Sequence, residues 1–172
     1  GGGGGGWGVV GGGGGGGGSG VDWGAGWEGP SRGRGRHVRS AVRGEVREDE
    51  PLARYSTYRI GGPATLLLPA TAEDVATGLR LARARGVPWF VVGLGSNLLF
   101  PDAGLEALVI RVGKGLDRFE RAGPVTTIGA GLPAPLAARR TAELGLAGLH
   151  IFVGVPGSVG GGVYMNAGCH GG

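Results

Sequence analysis

The run V-V-G-L-G-S-N-L-L-F, Val91 to Phe100, ends an apolar stretch in two glycines, a hydroxyl and an amide. Gly93 and Gly95 allow a tight turn with bare N–H groups on one side, and Ser96 and Asn97 add polar side chains. Together these are the parts of an anion-binding nest. A second such loop, Gly154-Val-Pro-Gly-Ser-Val-Gly-Gly161, carries a hydroxyl at Ser158 and is followed by Met165-Asn-Ala-Gly168. Pro156 fixes one backbone angle, while Gly157, Gly160 and Gly161 leave room for close approach. On its own, the first loop reads better as a plain strand-to-loop turn than as a binding site. Two glycine-rich loops in one small domain suggest a long ligand with phosphate in its middle, bound mainly through backbone amides.

Two familiar phosphate motifs do not account for these loops. A dinucleotide fingerprint needs a third glycine where Leu98 stands and a helix where Leu99-Phe-Pro-Asp-Ala-Gly104 follows. A P-loop needs Gly-Lys-Ser/Thr, which is missing here. Metal chemistry has little to work with, since one cysteine, Cys169, and three histidines form no ligand cluster, and no metal site is expected.

The elements that must position these loops follow from pattern. Tyr55 to Ile60 is rich in β-formers and stops at Gly61-Gly62-Pro63; Ala64 to Leu68 reads as a short strand. Thr71-Ala-Glu-Asp74 has the form of a helix N-cap with acids in the first turn. Val75, Leu79 and Ala82 keep one face apolar, and Gly86 stops the helix. Pro88 to Val92 reads as a buried strand, Ala107 to Val112 and Val125 to Ile128 as two more, and Pro135 to Leu144 as a second helix ended by Gly145. Leu149 to Gly172 is expected to form short strands and tight loops. The order is mixed α+β without regular alternation.

The opening of the chain differs from the rest. Of the 44 glycines, 21 lie in the first 36 of 172 positions, with no hydrophobic period. Residues 1–50 are therefore expected to be a disordered Gly/Arg-rich tail, native or not, and residues 51–172 the folded domain. The tail holds six arginines, Arg32 to Arg47, against six acids, so the net charge of +4 arises in residues 51–172, a surplus mild enough for a small anionic ligand. The alternative is a nucleic-acid-binding module made of Arg32-Gly-Arg-Gly-Arg36 with Trp7, Trp23 and Trp27. A solvated tail with no nucleic-acid partner is the preferred reading. No apolar run reaches about 18 residues and no signal-peptide order is present, so no membrane association and a cytoplasmic location are expected.

In order and spacing, Arg59-Ile-Gly-Gly-Pro-Ala64, Gly93-Leu-Gly-Ser-Asn-Leu-Leu99, Gly129-Ala-Gly131 and the Gly154–Gly161 loop with Met165-Asn-Ala-Gly168 resemble one family. It is the N-terminal half of MurB, the UDP-N-acetylenolpyruvoylglucosamine reductases of peptidoglycan synthesis, and the resemblance covers Tyr55 to Gly172. It implies a two-subdomain FAD-binding domain of the vanillyl-alcohol-oxidase/p-cresol-methylhydroxylase type. It also implies that Gly93, Gly95, Ser96, Asn97 and Leu98 wrap the FAD pyrophosphate. Gly131, Gly154, Pro156, Gly157, Ser158, Gly160, Gly161 and Asn166 would then line the rest of the cofactor towards the flavin ring. Thr57 and Arg59 match a family segment to which no catalytic role is given.

In that family NADPH reduces FAD, and a hydride then passes to the enolpyruvyl group of a UDP-sugar, with a serine, a glutamate and an arginine assisting. By the family's order those three lie beyond Gly172, so no catalytic residue is expected in this chain, and the chain is expected to be an inactive fragment. Another oxidoreductase of the same flavin fold stays open, because one fold hosts many substrates. The sequence departs from the family's usual wording at His150, Val153 and the Cys169-His170 pair; His170 reads as a polar loop residue and Cys169 as a small packed one.

Overall fold

The computed structural model describes residues 38–168, and the glycine-rich stretch before Val38 and the Cys169-His170 pair lie outside them. Among the described residues the strands are β1 (Glu45–Pro51), β2 (Pro63–Leu68), β3 (Trp89–Val92), β4 (Leu108–Arg111), β5 (Phe119–Ala122) and β6 (Val125–Ile128). The full helices described are α1 (Ala72–Ala84), α2 (Ala134–Glu143) and α3 (Val159–Tyr164). Two 3-10 segments, Leu52–Tyr55 and Leu149–Gly154, complete the order. The α+β reading holds.

β1 to β4 form one sheet in the order β1-β2-β4-β3, with β1 antiparallel to β2 and both β2 and β3 parallel to β4. Leu66, Leu67, Val109 and Ile110 are almost wholly buried, because the two central strands are covered on both faces. One face packs Leu67, Leu108 and Ile110 with Val38, Val46 and Ala82; the other packs Leu66, Val92 and Val109 with Leu52, Ala64 and Phe100. Helix α1 lies close on the first face because Gly78 offers no side chain; a Cβ there would come within 2.7 Å of the Leu67 methyl Cδ2. Its N-terminus is a capping box, with Thr71 Oγ1 accepting from the Asp74 N–H and the Asp74 carboxylate accepting from the Thr71 N–H at 3.2 Å.

Several expectations change. The boundary drawn between residues 50 and 51 falls inside β1, whose Val46 joins the core, so residues 38–50 belong to the folded unit. β1 leaves no apolar alternation to read, because Val46 is its one buried apolar residue, charges surround it, and an irregularity between Arg47 and Glu50 shifts the register. Tyr55 to Ile60 is a 3-10 end followed by a turn, closed by the Arg59 N–H donating to the Ser56 carbonyl at 3.1 Å. β3 is an edge strand: Val92 is buried, but Val91 is 48% exposed. β5, which the pattern of apolar residues does not announce, supplies the antiparallel partner of β6. Leu149 onward forms a 3-10 segment and α3, where strands were expected, since Ser158 caps a short helix that its glycines permit.

Candidate functional site

β3 and β4 are parallel neighbours, yet the chain between them, residues 93–107, contains no helix. This connection carries the first glycine loop. Gly95 has φ +69°, and a Cβ there would collide with the Tyr55 carbonyl oxygen. Glycine is needed for both reasons. Among the described residues, the N–H groups of Gly95, Ser96 and Asn97 donate to no backbone carbonyl. Such a run of unengaged donors in a tight turn suits an anion.

The second loop sits beside the first. Ser96 Oγ donates to the Pro156 carbonyl at 3.3 Å, and Gly93 packs directly under Ser158 Oγ. Ser158 is buried and caps α3, its Oγ accepting from the Gly161 N–H at 3.3 Å. The Pro156–Val159 stretch is stitched to the start of α2: the Ala134 N–H donates to Gly157 O, and the Val159 N–H to Leu132 O, both at 2.8 Å. Gly157 has φ +130° and Asn166, past the end of α3, has φ +47°.

Thus Gly93, Ser96, Pro156, Gly157 and Ser158 are brought together, with Gly95 and the exposed Asn97 next to them. Other candidates have different surroundings. Leu98 packs into the second core cluster, and Gly131 is pressed against Gly113 so closely that a Cβ would strike its carbonyl. Gly160 faces Ala130, Gly161 gives its N–H to Ser158, and Gly154 has open space around it. Gly93, Gly95, Gly131 and Gly160 therefore answer to the packing of the protein itself.

A third segment also reaches the site: the stretch of Thr57 and Arg59, which the family resemblance marked but gave no place at the cofactor. The turn after the first 3-10 segment lies against the first glycine loop: the Thr57 N–H donates to Gly95 O at 3.1 Å, and buried Ser56 donates through Oγ to Leu98 O at 3.0 Å. Behind it, Tyr55 OH donates to Glu50 Oε1 at 2.9 Å and accepts from Arg47 at 3.1 Å, while Arg111 lies 5.4 Å over its ring. Burial, and then the hydrogen bond to Glu50, pushes the Tyr55 phenol above its ordinary pKa, so it stays a donor. A contact some forty residues apart in the chain leaves no local periodicity, and only the strict need for glycine at position 95 hinted at a neighbour. Among the described residues no three His, Cys, Asp or Glu side chains are grouped to hold a metal, and no helix is long and apolar enough to cross a membrane.

Residues 63–172 match the family model described as "FAD binding domain". Among curated proteins, the chain is 44% identical over 135 residues to the UDP-N-acetylenolpyruvoylglucosamine reductase of Halalkalibacterium halodurans, covering 78% of this chain and 45% of that protein. It is 47% identical over 128 residues to UDP-N-acetylenolpyruvoylglucosamine reductase 1 of Bacillus anthracis, covering 74% and 42%. Among solved structures, the MurB crystal structure from Thermus caldophilus superposes with a TM-score of 0.63 at 37% identity, over 75% of this chain and 45% of that one. The chain spans less than half the length of the curated relatives it matches.

Proposed function

The chain belongs to the FAD-binding domain family, and from that premise we propose that it is the FAD-binding part of a UDP-N-acetylenolpyruvoylglucosamine reductase. The observation that carries this reading is the meeting of the two glycine loops through Ser96 and Pro156, beside three unengaged amides at Gly95, Ser96 and Asn97. A pyrophosphate needs several donors converging from a backbone that can approach closely, and these residues fit that need. In this reading Gly93, Gly95, Ser96, Asn97 and the adjoining Leu98 hold the pyrophosphate. Pro156, Gly157 and Ser158 with Gly131, Gly154, Gly160, Gly161 and Asn166 border the cofactor towards its ring.

FAD supplies hydride transfer when bound; this chain's residues bind, orient and shield it. A UDP-sugar as acceptor is supported by the names of the relatives; NADPH as hydride donor and a cytoplasmic place in cell-wall synthesis complete the proposal. The residues of the proton-transfer step are assigned to sequence outside this chain, and the chain alone is proposed to be inactive. The test is titration of the chain with FAD, read by quenching of flavin fluorescence. Saturable one-to-one quenching supports the reading; no quenching at high protein concentration overturns it. Enolpyruvyl-sugar-dependent NADPH oxidation by a chain extended to the relatives' length would test the activity.

A further inference from the structure

The segment between β1 and β2 is closed at its base, where the Leu52 N–H donates to Gly62 O at 3.0 Å and the Ala53 N–H to Gly61 O at 3.1 Å. That base is fastened to the β3–β4 connection by the Gly62 N–H donating to Pro101 O at 2.9 Å. Its tip, Tyr55 to Thr57, presses on the same connection at the glycine loop. We propose that this tip is a positioning element for the anion-binding amides, the Thr57 N–H holding one end of their turn and Ser56 Oγ the other. The proposal rests on the reading that residues 93–98 hold the FAD pyrophosphate.

The argument is one of peptide geometry. In a planar trans peptide, the C=O of one residue and the N–H of the next point in opposite directions. The Thr57 N–H holds Gly95 O toward the turn, which aims the Ser96 N–H away from it. Ser56 Oγ likewise holds Leu98 O, and so aims the Leu99 N–H outward from a residue that is 67% exposed. The two contacts bracket the Gly95–Leu98 turn at both ends, so the donors are set before any ligand arrives.

Ser56 is suited to this because its hydroxyl is used twice. It donates to Leu98 O and accepts from the Tyr58 N–H at 3.2 Å, and the residue is buried. Tyr55 fixes where the turn stands, through Glu50, Arg47 and the overlying Arg111. Its carbonyl fills the place of the missing Gly95 side chain.

The experiment compares FAD affinity, by flavin-fluorescence quenching, for the unaltered chain, Ser56→Ala and a control, Val46→Ala, which thins the core away from the loops. Ser56→Ala should weaken FAD binding about ten-fold, while Val46→Ala lowers the melting temperature and leaves affinity within about two-fold at a temperature where all three are folded. If Ser56→Ala does not fold, Ser56→Cys, close in shape but a poor donor, carries the same test. Unchanged affinity in the serine variant, or an equal loss in both variants, overturns the positioning role. No binding by the unaltered chain overturns the FAD reading instead, and the positioning proposal with it.

Discussion

The sheet of β1 to β4 and the lobe that follows it, β5 to α3, are packed by different means. The sheet region buries Leu52, Leu66, Leu67, Val92, Val109 and Ile110 between helix and loop, and both hydrophobic clusters lie there. The lobe buries Leu132 with Ala134, Ala137 and Ala138, and otherwise brings backbone against backbone at Gly129, Gly131 and Gly160. On α3 two large side chains face outward: Val163 is 79% exposed and Tyr164 69%. One region is held by side-chain volume. The other is held by the closeness that small residues allow, and the proposed cofactor loops run along the seam between them.

If this contrast is right, substitutions should divide along it. Leu67→Ala, at a fully buried position under Gly78, should cost about 3–4 kcal/mol, measured by urea denaturation. A loss below about 1 kcal/mol would mean that the sheet core is not the main store of stability.

Asp74 tests the same region through pH. Burial works to raise its pKa, but the N–H groups of Arg43, Ala70, Thr71 and Gly44 outweigh burial and hold it below the ordinary value. A depressed folded pKa means the contribution is present above the unfolded value, about 3.9, and is lost as pH falls through the folded one. Asp74→Asn should therefore cost about 2 kcal/mol at neutral pH. Its gap from the parent should begin to narrow below about pH 4 and close as pH falls through the lower folded value, as followed by denaturation across a pH series. A gap independent of pH would show that the charge does not matter.

In the lobe, enlargement should hurt more than removal. Ala138→Leu should cost about 1–3 kcal/mol by overpacking the buried face of α2, read from the thermal midpoint. Val163→Ser, on the exposed face of α3, should stay within about 0.5 kcal/mol. A large loss at position 163 would mean that its exposed face is covered in solution.

What the sequence disclosed follows the range of the forces involved. Helix α1 was legible to its cap because Thr71, Asp74 and Gly86 act within a few residues. β2, β4, β6 and α2 were legible as local apolar runs. The Tyr55–Ile60 turn was not, because Tyr and Thr favour strands on average, whereas here distant contacts with Gly95 and Leu98 decide. The site was half visible: two loops could be named from glycine content, but a glycine records only that something comes close. At Gly93 that something is Ser158, and at Gly131 it is Gly113.

The strand order has a consequence for how the chain assembles. β2 can pair with β1 as soon as both exist, but β3 has a single neighbour in the sheet, β4, which comes later in the chain and sits between β2 and β3. Until Leu108 to Arg111 is available, Trp89 to Val92 has no strand to join, and the glycine loop has no fixed start. Sheet closure thus waits on a parallel pairing of Thr65 with Leu108, distant in sequence and intrinsically slow to form. Any chain ending short of β4 would retain a β1–β2 pair but no edge on which to hang the loop.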